Sequence, residues 1–270
     1  MWDQVQETVK YIQETSGFTP EYGVILGSGL GSFTEDIQIE ISIPYAQIPN
    51  FPISTVQGHQ GTLVFGTIGT KKVMAMQGRF HYYEGYSMQQ VTFPVRVMKH
   101  LGISKLIVSN AAGGVNPAYH VGSIVCIKDH INLMPEHPLR GKNDERFGPR
   151  FVNMSEPYSV KMIQKAKEIA LSNGITLLDG VYLGLQGPTF ETLAEYRMVK
   201  TVGADCVGMS TVPEVIVARH MDMEVFGLSV ITDMGDDAAI ESVNHEEVLK
   251  AAQKAEPDVR LLIRELIQRY

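Results

Sequence analysis

The 270-residue chain carries 30 acidic and 23 basic residues, a formal charge of -7, and 44% apolar side chains. That balance excludes general binding to nucleic acid or to an anionic membrane surface, both of which need basic patches, while the apolar content suffices for a large core. No apolar run reaches membrane-spanning length, and the two cysteines, Cys126 and Cys206, sit inside apolar strand-like segments, as reduced structural thiols do.

In chain order, Val5, Val9 and Ile12 recur at helical spacing, so the first segment is predicted as an amphipathic helix and not a secretory leader; a cytoplasmic location is expected. Val24–Leu26 reads as a short buried strand running into Gly27-Ser28-Gly29-Leu30-Gly31-Ser32. Leu63–Phe65 and Val73–Met76 read as strands, the second leading to Gly78-Arg79-Phe80-His81-Tyr82-Tyr83-Glu84-Gly85-Tyr86. Two glycines free the backbone around a cation, an imidazole, phenols and a carboxylate, which favours polar groups presented at a strand end. The plainer reading is a surface loop with an exposed Arg79–Glu84 ion pair of little worth. Leu106–Val108 then runs into Ser109-Asn110-Ala111-Ala112-Gly113-Gly114. Small residues at the first and third of these strand ends let backbone N–H groups close around an anion such as phosphate. The first turn departs from the dinucleotide fingerprint, because its third small residue is Ser32 and Gly31 falls one place early, and no Walker A Gly-Lys-Ser or Gly-Lys-Thr occurs.

Further strands are expected at Ile124–Ile127, Gly180–Leu185, Cys206–Met209 and Val225–Thr232. Helices are expected at Ser159–Ser172, Glu191–Val202, Val212–His220 and His245–Tyr270, the last bent at Pro257. The polar loop from Glu136 to Pro149 is too short to separate two cores, and no linker or repeat interrupts the chain, so residues 1–270 read as a single domain. Hairpin-like strands followed by β-α alternation give an α/β class with a mixed sheet covered by helices on both faces.

Six segments carry a resemblance: Gly27 to Gly31, Gly58 to Gly61, Gly78 to Tyr86, Ser109 to Gly114, Gly187-Pro188-Thr189-Phe190-Glu191-Thr192, and Val207-Gly208-Met209-Ser210-Thr211-Val212-Pro213-Glu214. In this order they resemble the motifs of the trimeric purine nucleoside phosphorylases. The resemblance implies a single α/β domain whose mixed central sheet curls into a partial barrel flanked by helices. It implies reversible phosphorolysis of purine ribo- and deoxyribonucleosides, guanosine and inosine foremost, to free base and pentose 1-phosphate. A cytoplasmic homotrimer serving purine salvage is expected, with inorganic phosphate as co-substrate and no metal or other cofactor.

The family pattern puts Ser28, His59, Arg79, His81, Ala111 and Ser210 around phosphate, and the chemistry agrees. Arg79 offers a planar fork of donors, Ser28 and Ser210 offer hydroxyls, and Ala111 offers its backbone N–H. For the nucleoside it implies Tyr83 and Met209 over the ribose, His245 on the 5′-hydroxyl, and Phe190, Val207, Glu191 and Asp233 at the base. Phe151 resembles an aromatic that the family donates across a subunit interface. His81, Glu191, Asp233 and His245 are the expected catalytic residues. Plain structural readings exist for several: a loop histidine for His59, core for Met209, a first-turn carboxylate for Glu191 and a helix N-terminal residue for His245. The last is no zinc motif, since Leu249 stands where a second histidine is needed.

One position departs from the pattern. Asp233 stands where the family usually has Asn, with Asp236 and Asp237 close by. An ionised carboxylate only accepts hydrogen bonds, so it suits the N6 amino group of adenine and repels the O6 of a 6-oxopurine, unless it carries a proton to donate to N7. The nearest rival reading is a 5′-methylthioadenosine phosphorylase of the same fold; Glu191 and His245 oppose it, since that branch reads a base without an N1 proton and a sugar without a 5′-hydroxyl. A catalytically silent nucleoside-binding protein is opposed by Arg79, His81 and Ser210, which such a protein would not need.

Overall fold

The expected amphipathic segment forms α1 (Trp2–Ser16), with Val5, Val9 and Ile12 on its buried face and Gly17 closing it at φ 61°. The computed structural model describes residues 1–55, 60–235 and 245–270, the last range without the side chain of His245. Strands β1 (Tyr22–Ile25), β2 (Gln38–Pro44), β3 (Thr62–Ile68) and β4 (Lys71–Gln77) come next, then the short helices α2 (Met88–Val91) and α3 (Phe93–His100). The remainder alternates: β5 (Lys105–Gly114), β6 (Ile124–Asn132), α4 (Val160–Ser172), β7 (Leu177–Gly184), α5 (Leu193–Thr201), β8 (Cys206–Gly208), α6 (Val212–His220), β9 (Glu224–Met234) and α7 (His245–Arg269).

The nine strands among the described residues join one sheet in the order β2-β3-β4-β1-β5-β8-β7-β6-β9, and β9 pairs back onto β5. Strands β5, β8, β7, β6 and β9 therefore close a ring, while β1 to β4 extend from it as an open wing: a mixed sheet curled into a partial barrel, with helices packed on its faces. A main apolar core runs from the wing into the ring, and a smaller cluster around Leu183, Tyr196 and Val207 lies beside it. Cys126 and Cys206 are buried free thiols, and burial pushes both up to about 12, which leaves them unreactive.

Register decides where the site forms. Strand β1 is parallel to both β4 and β5, with Ile25 level with Met76 and Val108, so the segments after all three strands emerge together. Strand β5 also runs parallel to β9, and a bulge after Ala112 brings Gly113 opposite Asp233. Bulges re-aim side chains in this way. On its other side β5 meets β8 antiparallel, Gly113 against Val207, which turns the residues after β8 back toward Asn110.

The structure differs from the sequence reading at several elements. Strand β2 was not anticipated: Ile39, Ile41 and Ile43 alternate, but the strand is the open edge of the wing and largely exposed, so it lacks a continuous apolar run. Helix α3 was hidden by Pro94 and β-branched Val95 and Val97, yet Pro94 occupies the first turn, where no intrahelical N–H bond is lost. Helix α7 continues through Pro257. Helix α5 begins two residues later than predicted, because Thr192 caps it, accepting from the Glu195 N–H while donating its own N–H to the Glu195 carboxylate at 2.7 Å.

Candidate active site

A cavity of about 330 Å³ opens where these strand ends converge. Of the sequence-predicted residues, Ser28, Arg79, His81 and Ala111, Ser210 and Tyr83, and Phe190, Glu191, Val207, Met209 and Asp233 all line it. The turn carrying Ser28 is held tight to β5: a Cβ on Gly27 would stand 2.6 Å from the Ser109 carbonyl oxygen, and the Gly27 N–H donates to Ser109 Oγ at 3.2 Å. Only glycine permits that approach.

Arg79 is the centre of one end. Its Nη1 donates to the Ser109 carbonyl at 2.9 Å and to Ser210 Oγ at 2.8 Å, and its Nε lies 3.3 Å from Glu214 Oε1. Both charged side chains are nearly sealed, 2% and 3% exposed. The expected alternative, an exposed Arg79–Glu84 pair, is therefore wrong: the strand end turns Arg79 inward, onto a carboxylate in the first turn of α6. Beside it Thr211 adopts φ 69° and ψ -54°, a γ-turn in which the Val212 N–H donates to the Ser210 carbonyl at 2.7 Å, a strained conformation that costs a β-branched residue about 1–3 kcal/mol. Asn110 Nδ2 donates to its hydroxyl at 2.8 Å, and the Thr211 hydroxyl lies 3.2 Å from Ser210 Oγ. This strained turn aims Ser210 at the cavity.

Glu84 serves His81. Its Oε1 accepts from the His81 N–H at 2.7 Å and lies 3.0 Å from Nδ1, while Oε2 accepts from the Thr55 N–H and hydroxyl. Burial alone would raise the Glu84 carboxyl, but these donors outweigh it and hold it at about 2. Burial keeps the His81 imidazole below its ordinary value despite that carboxylate, so near neutral pH the ring is uncharged and oriented. Tyr83 stacks on it, centroids 4.7 Å apart. The Gly187 backbone packs so closely that a Cβ there would lie 2.3 Å from Met209 Sδ and 3.2 Å from the Tyr83 ring, joining these two residues in one wall.

The other end is acidic. Because α5 starts at Leu193, Glu191 lies outside the helix, and burial first, then the charge of Asp233, pushes its carboxyl from 4.5 up to about 7. Asp233 accepts from the Tyr196 hydroxyl at 2.6 Å and from the Thr232 hydroxyl at 3.0 Å. The cavity thus sets a guanidinium, hydroxyls and backbone N–H groups at one end and two carboxyl groups at the other, with Met209, Val207 and Phe190 between. It fits a ligand with an anionic part, an apolar body and a polar edge carrying exchangeable protons.

Three predicted residues are not placed with this set. Phe151 is 90% exposed and lies against a separate surface hollow with His130 and Arg150. His59 lies outside the described residues, as do Asp236 and Asp237. His245 begins α7, and its side chain is likewise outside. Conversely, sequence reasoning assigned no role to Asn110, Tyr196, Thr211 or Glu214. Asn110, Thr211 and Glu214 stood within quoted motifs; Tyr196 had no local signal. Among the described residues no group of three or more His, Cys, Asp or Glu side chains could hold a metal ion, and no helix is long and apolar enough to cross a membrane.

Comparison with known proteins gives a consistent result. Residues 21–268 match the family model of the phosphorylase superfamily. Purine nucleoside phosphorylase 1 of Geobacillus stearothermophilus is 48% identical over 264 residues, covering 98% of this chain and 96% of that protein. The Mus musculus purine nucleoside phosphorylase is 50% identical over 94% of this chain and 90% of its own. Among solved structures, Schistosoma mansoni purine nucleoside phosphorylase in complex with adenosine superposes with a TM-score of 0.94 at 42% identity, covering 99% of this chain and 97% of that one. Isoform 2 from the same organism, in complex with cytosine and ribose-1-phosphate, gives 0.95 at 42%, over 99% and 96% of the two chains.

Proposed function

The chain belongs to the purine nucleoside phosphorylases of the phosphorylase superfamily, and on that premise we propose that it cleaves guanosine and inosine, and their deoxy forms, in preference to adenosine. The observation that carries this reading is Glu191 at the acidic end of the cavity, with Arg79 at the other. An ionised Glu191 accepts the N1 proton of a 6-oxopurine, whereas adenine offers a lone pair there. Phosphate is taken by Arg79, Ser28, Ser210, the Ala111 N–H and His81, with His59 completing the set; Tyr83, Met209 and His245 hold the ribose and Phe190 packs on the purine. The N-glycosidic bond lengthens, the ribose gains cationic character at its anomeric carbon, and phosphate stabilises that cation from the opposite face before attacking it. Catalysis then comes from positioning and electrostatics, with phosphate as the sole co-substrate. In this reading the enzyme is cytoplasmic and serves purine salvage.

Asp233 tempers the preference, because its carboxylate can accept from an adenine amino group; a solved relative in complex with adenosine is compatible with that. The expected ranking is guanosine and inosine above adenosine in kcat/KM, with adenosine turnover measurable. A preference for adenosine or 5′-methylthioadenosine would favour the rival phosphorylase reading.

The same proposal includes a homotrimer. Phe151, 90% exposed and away from its own chain's cavity, suits a residue that closes a neighbour's ribose pocket. Light scattering at assay concentration should give the mass of three chains, and a fully active monomer would contradict it.

A further inference from the structure

Two glycines are required by one tyrosine. A Cβ on Gly235 would stand 2.2 Å from the Tyr196 ring, and one on Gly113 would stand 2.9 Å from Asp233 Oδ2 and 3.1 Å from the Tyr196 hydroxyl. Neither glycine has a left-handed φ, so space and not conformation demands them. The ring itself packs with Val115, Leu183, Val199 and Val207, which fixes the hydroxyl between the base-reading carboxyls. It donates to Asp233 at 2.6 Å and interacts more weakly with Glu191, whose ionised form it favours. A phenol has one proton to donate, so it can serve only one carboxylate at a time.

Building on the phosphorolysis reading, we propose that Glu191 and Asp233 hold a single proton between them when a purine nucleoside is bound, and that Tyr196 is the positioning residue that biases which carboxyl carries it. With the proton on Glu191, that carboxyl donates to N1 of a 6-aminopurine, and Asp233 accepts from the N6 amino group and from Tyr196. With the proton on Asp233, that carboxyl donates to N7 or O6 of a 6-oxopurine, and Glu191 accepts from N1–H and from Tyr196. Moving between the two arrangements transfers one proton from one carboxyl to the other and swings one phenolic O–H, so the proton count is the same for both bases. Tyr196 donates to Asp233 in the structure, the arrangement that suits a 6-aminopurine.

Among the described residues, the groups facing the pair leave few other sources of bias. Helix α5 brings Tyr196 and Glu195, and Glu195 is tied to the Thr192 N–H. Strand β9 brings the Thr232 hydroxyl, β5 brings Gly113 and β8 brings Val207. Arg79 and His81 stand at the phosphate end. Burial and the Asp233 charge push the Glu191 carboxyl to about 7, as expected for two acids sharing a site.

The test is calorimetric binding of inosine and adenosine without phosphate, in two buffers of different ionisation enthalpy, at least one pH unit above the Glu191 midpoint of about 7. Both nucleosides should bind with uptake of close to one proton. Asp233→Asn should abolish the uptake for inosine. Tyr196→Phe keeps the packed ring and, because the phenol bonds Asp233 more strongly than Glu191, should weaken adenosine relative to inosine by about two- to tenfold; in the Asp233→Asn background the same change should leave the ratio alone. Inosine binding to the unaltered enzyme without proton uptake would overturn the shared proton. A Tyr196→Phe effect that persists with Asp233→Asn would reduce Tyr196 to a packing role. Turnover with phosphate is assayed separately, so failure to cleave any nucleoside would refute the phosphorolysis reading and not this one.

Discussion

Arg79→Ala is expected to raise the KM for phosphate by about 10- to 100-fold, while nucleoside binding in the absence of phosphate changes little. One charge-assisted contact to the anion is worth roughly 1.5–3 kcal/mol, and Arg79 is the guanidinium at that end of the cavity. The substitution should also destabilise the fold. Arg79 and Glu214 are sealed together, their side chains 2% and 3% exposed, and removing one partner of a buried pair costs about 3–5 kcal/mol because the other charge is stranded. A fall in Tm on the order of 10 °C follows for a chain of this size. The two effects separate in the double variant. Arg79→Ala with Glu214→Gln removes the stranded charge, so much of the stability should return while phosphate use stays impaired. Thermal unfolding and phosphate titrations on both variants check this, and full recovery of phosphate use in the double variant would show that Arg79 serves only the fold.

Asp233→Asn should lower adenosine turnover relative to inosine by about tenfold or more, the worth of one hydrogen bond to a charged group. The carboxylate accepts from Tyr196 and Thr232 and has acceptor capacity left for the N6 amino group. An amide presents a donor beside the same atoms and can bond N7 of a 6-oxopurine without a proton from solvent. Inosine turnover by the unaltered enzyme should therefore decline as pH rises and the carboxyl pair loses its shared proton. In the variant that decline should flatten, since only an ionised Glu191 is needed and loss of the Asp233 charge moves its midpoint down from the value of about 7 in the unaltered enzyme. An unchanged adenosine-to-inosine ratio with an unchanged pH profile would mean that Asp233 does not contact the base.

Legibility followed from how local each signal was. Turns of small residues after apolar runs were visible because strand and turn lie side by side in the chain, and Ser28, Arg79, His81 and Ala111 came with them. Arg79 itself was legible, but its partner was not. Glu84 is five residues away and of the right charge, yet it bonds His81 and Thr55, while Glu214 arrives from a helix much later in the sequence. Tyr196 and Asp233 meet only because α5 packs beside the end of β9, and a tyrosine in a helix carries no sign of its polar contact. The bulge after Ala112 that faces Gly113 to Asp233 is likewise a property of the paired strands. Strand β2 shows the opposite failure: its alternation was present in the sequence, but without burial on both faces it formed no apolar run.

The central claim is that the Arg79 end of the cavity holds a phosphate that attacks the sugar. Inosine incubated with the enzyme in phosphate-free buffer, and again with phosphate added, tests it most directly. Hypoxanthine and ribose 1-phosphate should appear together, and only when phosphate is present; release of free ribose at an undiminished rate in its absence would contradict the account.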